Sequence, residues 1–404
     1  MNYMNIKYFR SAASVVALLF ASNLVLAASQ TRSEIPNHAV ILQYHHVSDT
    51  TPASTSISVE RFKQHMDYLA SAGYQIKSLS EVVTALRAKT SASAENALPD
   101  KTVVITFDDA YLSIYQNAYP LLKERNWPFT VFVNSAKTHS NPRLYLNWDQ
   151  LREMANNGAI IANHSPDHGH LLRRTDTSEN VNGGEGETAV TETAVAETRS
   201  QWLARIERDV ISMQAEIVKE TGQDERYFAY PYGEADADLR NMLTKLGYVG
   251  LGQHSGPIGE YSDFSFLPRF PMSGVYSGLK PMRTKLRTLP FPIIEQELHK
   301  PLLANSVERP ELTLKLLSGN YRLGELACYG SERGRISAVT GPKPTAAELD
   351  AGQNYRQIQV HSEQPIILGR SRYNCTAPHV RQGRYYWFSA YWYRKGAGES
   401  WIAE

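Results

Sequence analysis

Cysteine is nearly absent from this sequence: 404 residues carry two, Cys328 and Cys375. Neither has histidine or another cysteine at ligand spacing, which argues against a zinc site there. In an oxidising compartment the two can pair, for about 3–4 kcal/mol on the loop-entropy argument. An excess of either charge is also missing. Lys plus Arg number 42 and Asp plus Glu 41, a balance of +1 that offers no electrostatic case for nucleic acid or an acidic partner. Long apolar runs are confined to the N-terminus, so no later segment is apolar enough to cross a membrane. No internal repeat is visible.

What is present begins with residues 1–28, which follow the pattern of a secretory signal. Lys7 and Arg10 supply the positive flank, an apolar run extends from Ala12 to Leu26, and Ala27 and Ala28 offer a cleavage site. Ser22 and Asn23 interrupt the run, which is short for a span of ~20 residues, so cleavage is favoured over an anchor. The expectation is an exported protein, periplasmic or secreted, with no stable membrane span. The length leaves room for two domains.

From Ala39 to Phe270 the pattern alternates strand and helix. Ala39–Tyr44, Val103–Phe107, Trp127–Val133, Ala159–Ala162, Arg226–Tyr230 and Tyr248–Leu251 read as strands, rich in β-branched residues and nearly free of charge. Between them, Ser58–Ala72, a segment from Ser80 to about Ala88, Ser113–Arg125, Trp148–Asn157, Gln201–Thr221 and Ala237–Leu246 have helical spacing and caps. Such alternation predicts a parallel sheet of βα units, open or closed into a barrel. Residues 173–200 are dominated by Thr, Glu, Gly, Asn and Ala, and read as a disordered insertion with nothing to bury. Beyond about 290 the pattern changes to short strand-like runs: Leu312–Leu317, Leu323–Tyr329, Arg356–His361, Pro365–Leu368 and Tyr385–Tyr393. A second, all-β domain over 300–404, sandwich-like, is the economical reading. Its aromatics, Tyr385 to Tyr393 and Trp401, are either sandwich core or a platform for sugar rings.

Four polar clusters lie just past the ends of predicted strands: His45, Asp108–Asp109, His164 with His168, and Pro231–Tyr232–Gly233. That rim is where parallel α/β folds build sites, because the loops converge over one end of the sheet. Adjacent carboxylates repel unless something offsets them, and a bound cation does so. The competing reading of the Asp pair is a cap for the following helix. His164 and His168 are four apart, but Pro166 between them favours a tight loop over a helix. One Asp and two His leave coordination positions open, as in a catalytic metal site. His170 is a spare ligand candidate.

These motifs resemble those of the polysaccharide deacetylases, carbohydrate esterase family 4. The residues that carry the resemblance are Thr106-Phe107-Asp108-Asp109, then His164-Ser165-Pro166-Asp167-His168, then Ala229-Tyr230-Pro231-Tyr232, over roughly residues 38–275. Leu42-Gln43-Tyr44-His45 is similar to the family's Leu-x-His motif. Its place before the Asp pair resembles the circularly permuted branch that deacetylates poly-N-acetylglucosamine.

The resemblance implies a distorted (β/α) barrel over 38–290 that removes N-acetyl groups from a polysaccharide. It implies that Asp109, His164 and His168 hold a divalent metal, with zinc expected. Asp108 would be the general base, and the Tyr232 backbone N–H would stabilise the oxyanion. His45 would be the acid, standing opposite the base, with His46 as an alternative whose side chain should point away. The family's third motif usually begins with Arg, where this chain has Ala229. Arg269 either supplies that charge from another loop or is a surface residue in a turn. Two rival activities stand beside this one: an O-acetyl esterase, and a non-catalytic polysaccharide-binding protein.

Overall fold

The computed structural model describes residues 35–88, 97–173, 197–298, 302–303, 308–350, 352, 354–381 and 383–394. The segment 1–28 and Trp401 lie outside the described residues, as do 174–196 of the insertion expected over 173–200. Among the described residues no helix is long and apolar enough to cross a membrane.

Six parallel strands form the first sheet's backbone. His38–Tyr44 pairs with Thr102–Phe107, and the order continues through Phe129–Val133, Ala159–Asn163, Tyr227–Ala229 and Val249–Leu251. The sheet curls until its ends nearly meet. Leu267 bridges to Leu251 on one side, and three residues further on Phe270–Pro271 pairs with Leu42–Gln43 on the other. The segment Leu267–Pro271 is therefore the seam of a barrel-like sheet.

Each strand sends alternate residues to opposite faces, as a pleated backbone must. Leu42, Tyr44, Val103, Ile105, Phe107, Val131 and Val133 face outward into a core with helix Val59–Ser71. The interior takes smaller or flatter groups, Ala39, Ile41, Val104, Phe132, Ala162 and Ala229. Gln43, Thr106 and Asp108 share that interior parity and are buried.

Several elements differ from the sequence expectation for local reasons. The second helix starts at Leu79, not after Ser80. Ser78 caps it, because Glu81 stands three residues on and completes a capping box. The helix expected over Ser113–Arg125 is split into a wide turn over Ile114–Ala118 and an α-helix over Tyr119–Glu124. Pro120 lacks the N–H that a continuous ladder would use. Helix Arg199–Thr221 closes at Gly222, whose φ of 74° a side chain would resist.

Among the described residues, the second sheet has nine strands, and its region is β apart from short helical turns such as Ala346–Asp350. Gly334–Thr340 turns its corner: residues to Ile336 pair with Ala327–Gly330, and Ser337 onward with Tyr355–His361. Pro365–Leu368 is not a strand; Gly369–Pro378 is, paired along its whole length with Tyr385–Arg394. Strand Tyr385–Arg394 uses both faces for packing. Tyr386, Ala390 and Trp392 join the sheet's own core, while Tyr391 and Tyr393 pack with Phe228, Tyr230 and Phe266 of the first sheet's region. Cys328 and Cys375 are directly opposed on neighbouring strands and form a disulfide. All described residues belong to one compact unit, Ile35–Glu404.

Candidate metal centre

Asp108 and Asp109 leave the barrel where the strand Thr102–Phe107 ends. The Asp108 N–H still donates to Tyr44 O at 2.9 Å, so Asp108 keeps its inward parity. Asp109 and Ala110 then adopt positive φ, 69° and 51°, turning the chain sharply. Asp tolerates that region better than most residues, and both positions are held by burial.

His164 follows the strand Ala159–Asn163 and is fully buried. Its Nδ1 donates to Ala229 O at 2.7 Å, which fixes the tautomer and leaves the Nε2 lone pair facing the site. Ser165 and His168 both have positive φ, and the Ser165 hydroxyl accepts from the His168 N–H at 3.1 Å. Pro166 thus sits in a tight loop that returns His168 to His164. His164 Nε2 lies 3.4 Å and His168 Nε2 3.2 Å from Asp109 Oδ1. Ligand atoms from all three residues fall within 4.8 Å of one another.

The chemistry of this donor set fits a divalent cation. His164 Nε2 is buried with no hydrogen-bond partner, a costly state for a polar atom unless a ligand completes it. Burial alone would raise the Asp109 carboxyl, but the His164, His45 and His168 imidazoles hold it well below the usual range. Burial, more than the neighbouring His164 imidazole, pushes His168 down to about 4, which keeps it neutral, as a ligand must be. At His164 burial is outweighed by Asp109 and Asp108, which raise it, so the ligand state there is one that a cation has to favour.

Asp108 is organised differently. Arg269 is buried and forks onto it, Nη1 to Oδ1 at 2.7 Å and Nη2 to Oδ2 at 2.8 Å. Gln43 Nε2 adds a third donor to Oδ2 at 2.7 Å. Burial would raise this carboxyl, yet Arg269, His164 and His45 bring it down to about 2. Arg269 occupies the barrel seam, so its side chain points inward over the Phe132 ring and its Nε donates to Gly252 O. Of the two readings of Arg269, a charge supplied to Asp108 from another loop or a surface residue in a turn, its burial and its forked pairing exclude the second.

His45 Nε2 lies 3.9 Å from Asp108 Oδ2. The two stand side by side, not opposite one another. Tyr44 and Phe107 are register partners on adjacent strands, so the residues after them emerge together. His46 turns aside and stacks on Tyr111 with ring centroids 3.5 Å apart, and Tyr111 stacks in turn on Tyr145 at 5.2 Å. Burial and the Asp109 charge raise the Tyr111 phenol.

Tyr232 has φ 55° inside the Pro231–Gly233 turn, and its ring lies 4.6 Å from His168 and stacks on His170 at 4.0 Å. His170 is not among the clustered ligands. Its Nδ1 bonds Glu234 Oε1 at 2.8 Å, and Glu234 is itself buried.

The sequence motifs did not point to Gln43, Glu234, Tyr111 or Tyr145. Gln43 left a signal, being the one amide in an otherwise apolar strand core, Ala39 to Tyr44.

Residues 95–251 match a family model described as polysaccharide deacetylase. Poly-beta-1,6-N-acetyl-D-glucosamine N-deacetylase of Escherichia coli (strain K12) is 25% identical over 250 residues, 58% of this chain and 36% of that protein. The chain therefore matches only about a third of that relative's length. The protein of the same name from Staphylococcus aureus (strain MRSA252) is 24% identical over 263 residues, 63% of this chain and 81% of that one. Among solved structures, a de-N-acetylase from Aggregatibacter actinomycetemcomitans shares the fold with a TM-score of 0.50 at 20% identity, covering 61% of this chain and 99% of that one.

Proposed function

We propose that this chain, whose residues 95–251 match the polysaccharide deacetylase family model, removes N-acetyl groups from an N-acetylglucosamine polymer outside the cytoplasm. One observation carries the reading: Asp109, His164 and His168 converge within 4.8 Å beside a carboxylate, Asp108, that is clamped by buried Arg269. The names of the E. coli and S. aureus relatives favour poly-N-acetylglucosamine, and the apolar N-terminal run favours export. The position of His45 ahead of the Asp pair is in keeping with the permuted branch of the family.

Asp109 and the two imidazoles would hold a divalent cation, for which we propose zinc. Such an ion supplies Lewis acidity, polarising the acetyl carbonyl and lowering the pKa of water at the site. Asp108, kept ionised by Arg269, takes the proton from the attacking water. The backbone N–H of Tyr232 donates to the oxygen that gains charge as the carbonyl carbon becomes tetrahedral. His45 gives a proton to the departing sugar nitrogen, a poor leaving group without one. Because His45 neighbours Asp108, the accepting and donating groups are close enough to act in turn on one reacting centre. The Tyr111–Tyr145 stack offers an aromatic face beside Asp109 on which a pyranose ring can lie.

The test is acetate release from N-acetylglucosamine oligomers and from acetylated xylan, with metal content measured on the same samples. Asp108→Asn is expected to lose turnover by about 10²–10⁴-fold while keeping its metal. His164→Ala should lose both. His45→Ala should cripple amide hydrolysis and hardly affect an ester, whose alcohol leaves without strong acid help. Full activity in Asp108→Asn would remove the base assignment. Preference for acetylated xylan, indifferent to His45→Ala, would make the protein an O-acetyl esterase. Absence of both metal and acetate release would leave a binding protein.

A further inference from the structure

The loop that presents Tyr232 is held by the second sheet. Tyr393 Oη donates to Tyr232 O at 2.7 Å, and Arg370 Nη1 approaches the same oxygen at 3.5 Å. Arg370 also donates through Nη2 to Gln253 O at 2.8 Å and through Nη1 to Gln253 Oε1 at 3.3 Å. Tyr393 and Arg370 are register partners on the strands Tyr385–Arg394 and Gly369–Pro378. Directly opposed positions on an antiparallel pair project to the same face, so the two side chains reach one carbonyl together. Tyr393 is buried, and Tyr391 on the same face of its strand donates to Ala235 O at 3.2 Å, three residues past Tyr232.

Tyr232 needs such support. Its φ of 55° is one that an L-residue keeps only where its surroundings hold it. Pro231 restrains the chain before it. After it, Gly233 packs so tightly that a Cβ would lie 3.0 Å from Gln253 Cβ and 3.2 Å from Gln253 N. Gln253 is the residue that Arg370 grips, so one cross-strand pair braces both sides of the turn. The ring of Tyr232 meets His168, and its N–H is the donor assigned above to the oxyanion.

We propose that Tyr393 and Arg370 are positioning residues for the deacetylation site, and that the second sheet is a working part of that site. The inference rests on the deacetylase reading, since it gives the Tyr232 N–H its role. Neither residue touches the reacting atoms. They act by fixing the peptide plane that follows Tyr232; with Pro231 restraining the chain ahead of it, this holds the φ of 55° and so the direction of the Tyr232 N–H.

The full-length chain tests this. Tyr393→Phe and Arg370→Met are each expected to lower kcat on N-acetylglucosamine oligomers by about fivefold, the worth of one hydrogen bond. KM and melting temperature should stay close to wild type. Arg370→Lys should restore part of the loss, because an ammonium still reaches one carbonyl. Tyr385→Phe, an exposed position on the same strand, should behave as wild type. Hydrogen exchange over residues 227–236 should speed up in Tyr393→Phe and in Arg370→Met. Unchanged kcat and unchanged exchange in the double variant would overturn the inference. A wild-type chain that releases no acetate would defeat the functional reading alone, and exchange at the turn would still decide whether the clamp exists.

Discussion

Asp108 and Arg269 are each 0% exposed, and a charge taken that far out of water must find its partner in the fold. The forked pair does so with two short bonds, and Gln43 fills a further site on the carboxylate. Arg269→Met strands a buried anion. It should cost roughly 3–5 kcal/mol in urea unfolding and nearly all activity. Adding Asp108→Asn should recover much of the stability and none of the turnover, a split that a double-mutant cycle reads directly. The partner of Asp108 was only half legible in the sequence. Asp108, Asp109, His164 and His168 announce themselves by local spacing. Arg269 lies 161 positions from Asp108, in a segment whose role appears only once the sheet curls. Ala229 was the visible gap, and nothing in the chain's local pattern says which arginine fills it.

At the level of strands and helices, the buried parallel strands were easiest to read, because nearly every residue in them is apolar or β-branched. The second sheet was harder. Gly369–Pro378 alternates buried and half-buried positions along a polar sequence, Arg-Ser-Arg-Tyr-Asn-Cys, so its apolar signal is diluted. Its partner Tyr385–Arg394 was visible through its aromatics, yet whether they face solvent or core depends on what packs outside the strand. The disulfide joins this element to Ala327–Gly330 across a sequence separation of 47. Replacing both cysteines by serine should lower stability by about 4 kcal/mol on the chain-entropy argument. The measurement is thermal melting of the variant beside the oxidised and reduced wild type. Equal melting of all three would show that the crosslink contributes nothing.

Across the whole molecule, three histidines away from the metal cluster tie stability to pH. Burial and the Arg384 charge push His38 down to about 4; burial, Lys285 and Arg61 bring His65 to about 4; burial with Arg370, Arg240 and Arg269 brings His254 to about 3. In the unfolded chain each takes a proton near 6.5. As pH falls below that value the unfolded state binds protons that the fold refuses, so stability is lost toward about pH 4. Each imidazole contributes up to about 1.4 kcal/mol per pH unit. Urea midpoints at pH 7 and pH 5 should differ accordingly, and a flat response would remove these groups from the account. Two of the three sit beside arginines of the second sheet's region, His38 near Arg384, just ahead of the strand Tyr385–Arg394, and His254 near Arg370 of Gly369–Pro378. Acid therefore loads the contact between the two sheets as well as the barrel.

Barrel closure also sets an order of events. The first strand of the sheet receives its last neighbour from Phe270–Pro271, more than two hundred residues later in the chain, and Arg269 arrives with it. A polypeptide cut short before that stitch would possess the three candidate ligands, Asp109, His164 and His168, but leave Asp108 unclamped. On the proposed deacetylase reading such truncated products are expected to lack activity, because the carboxylate proposed as base gains its partner only with the final staple of the barrel.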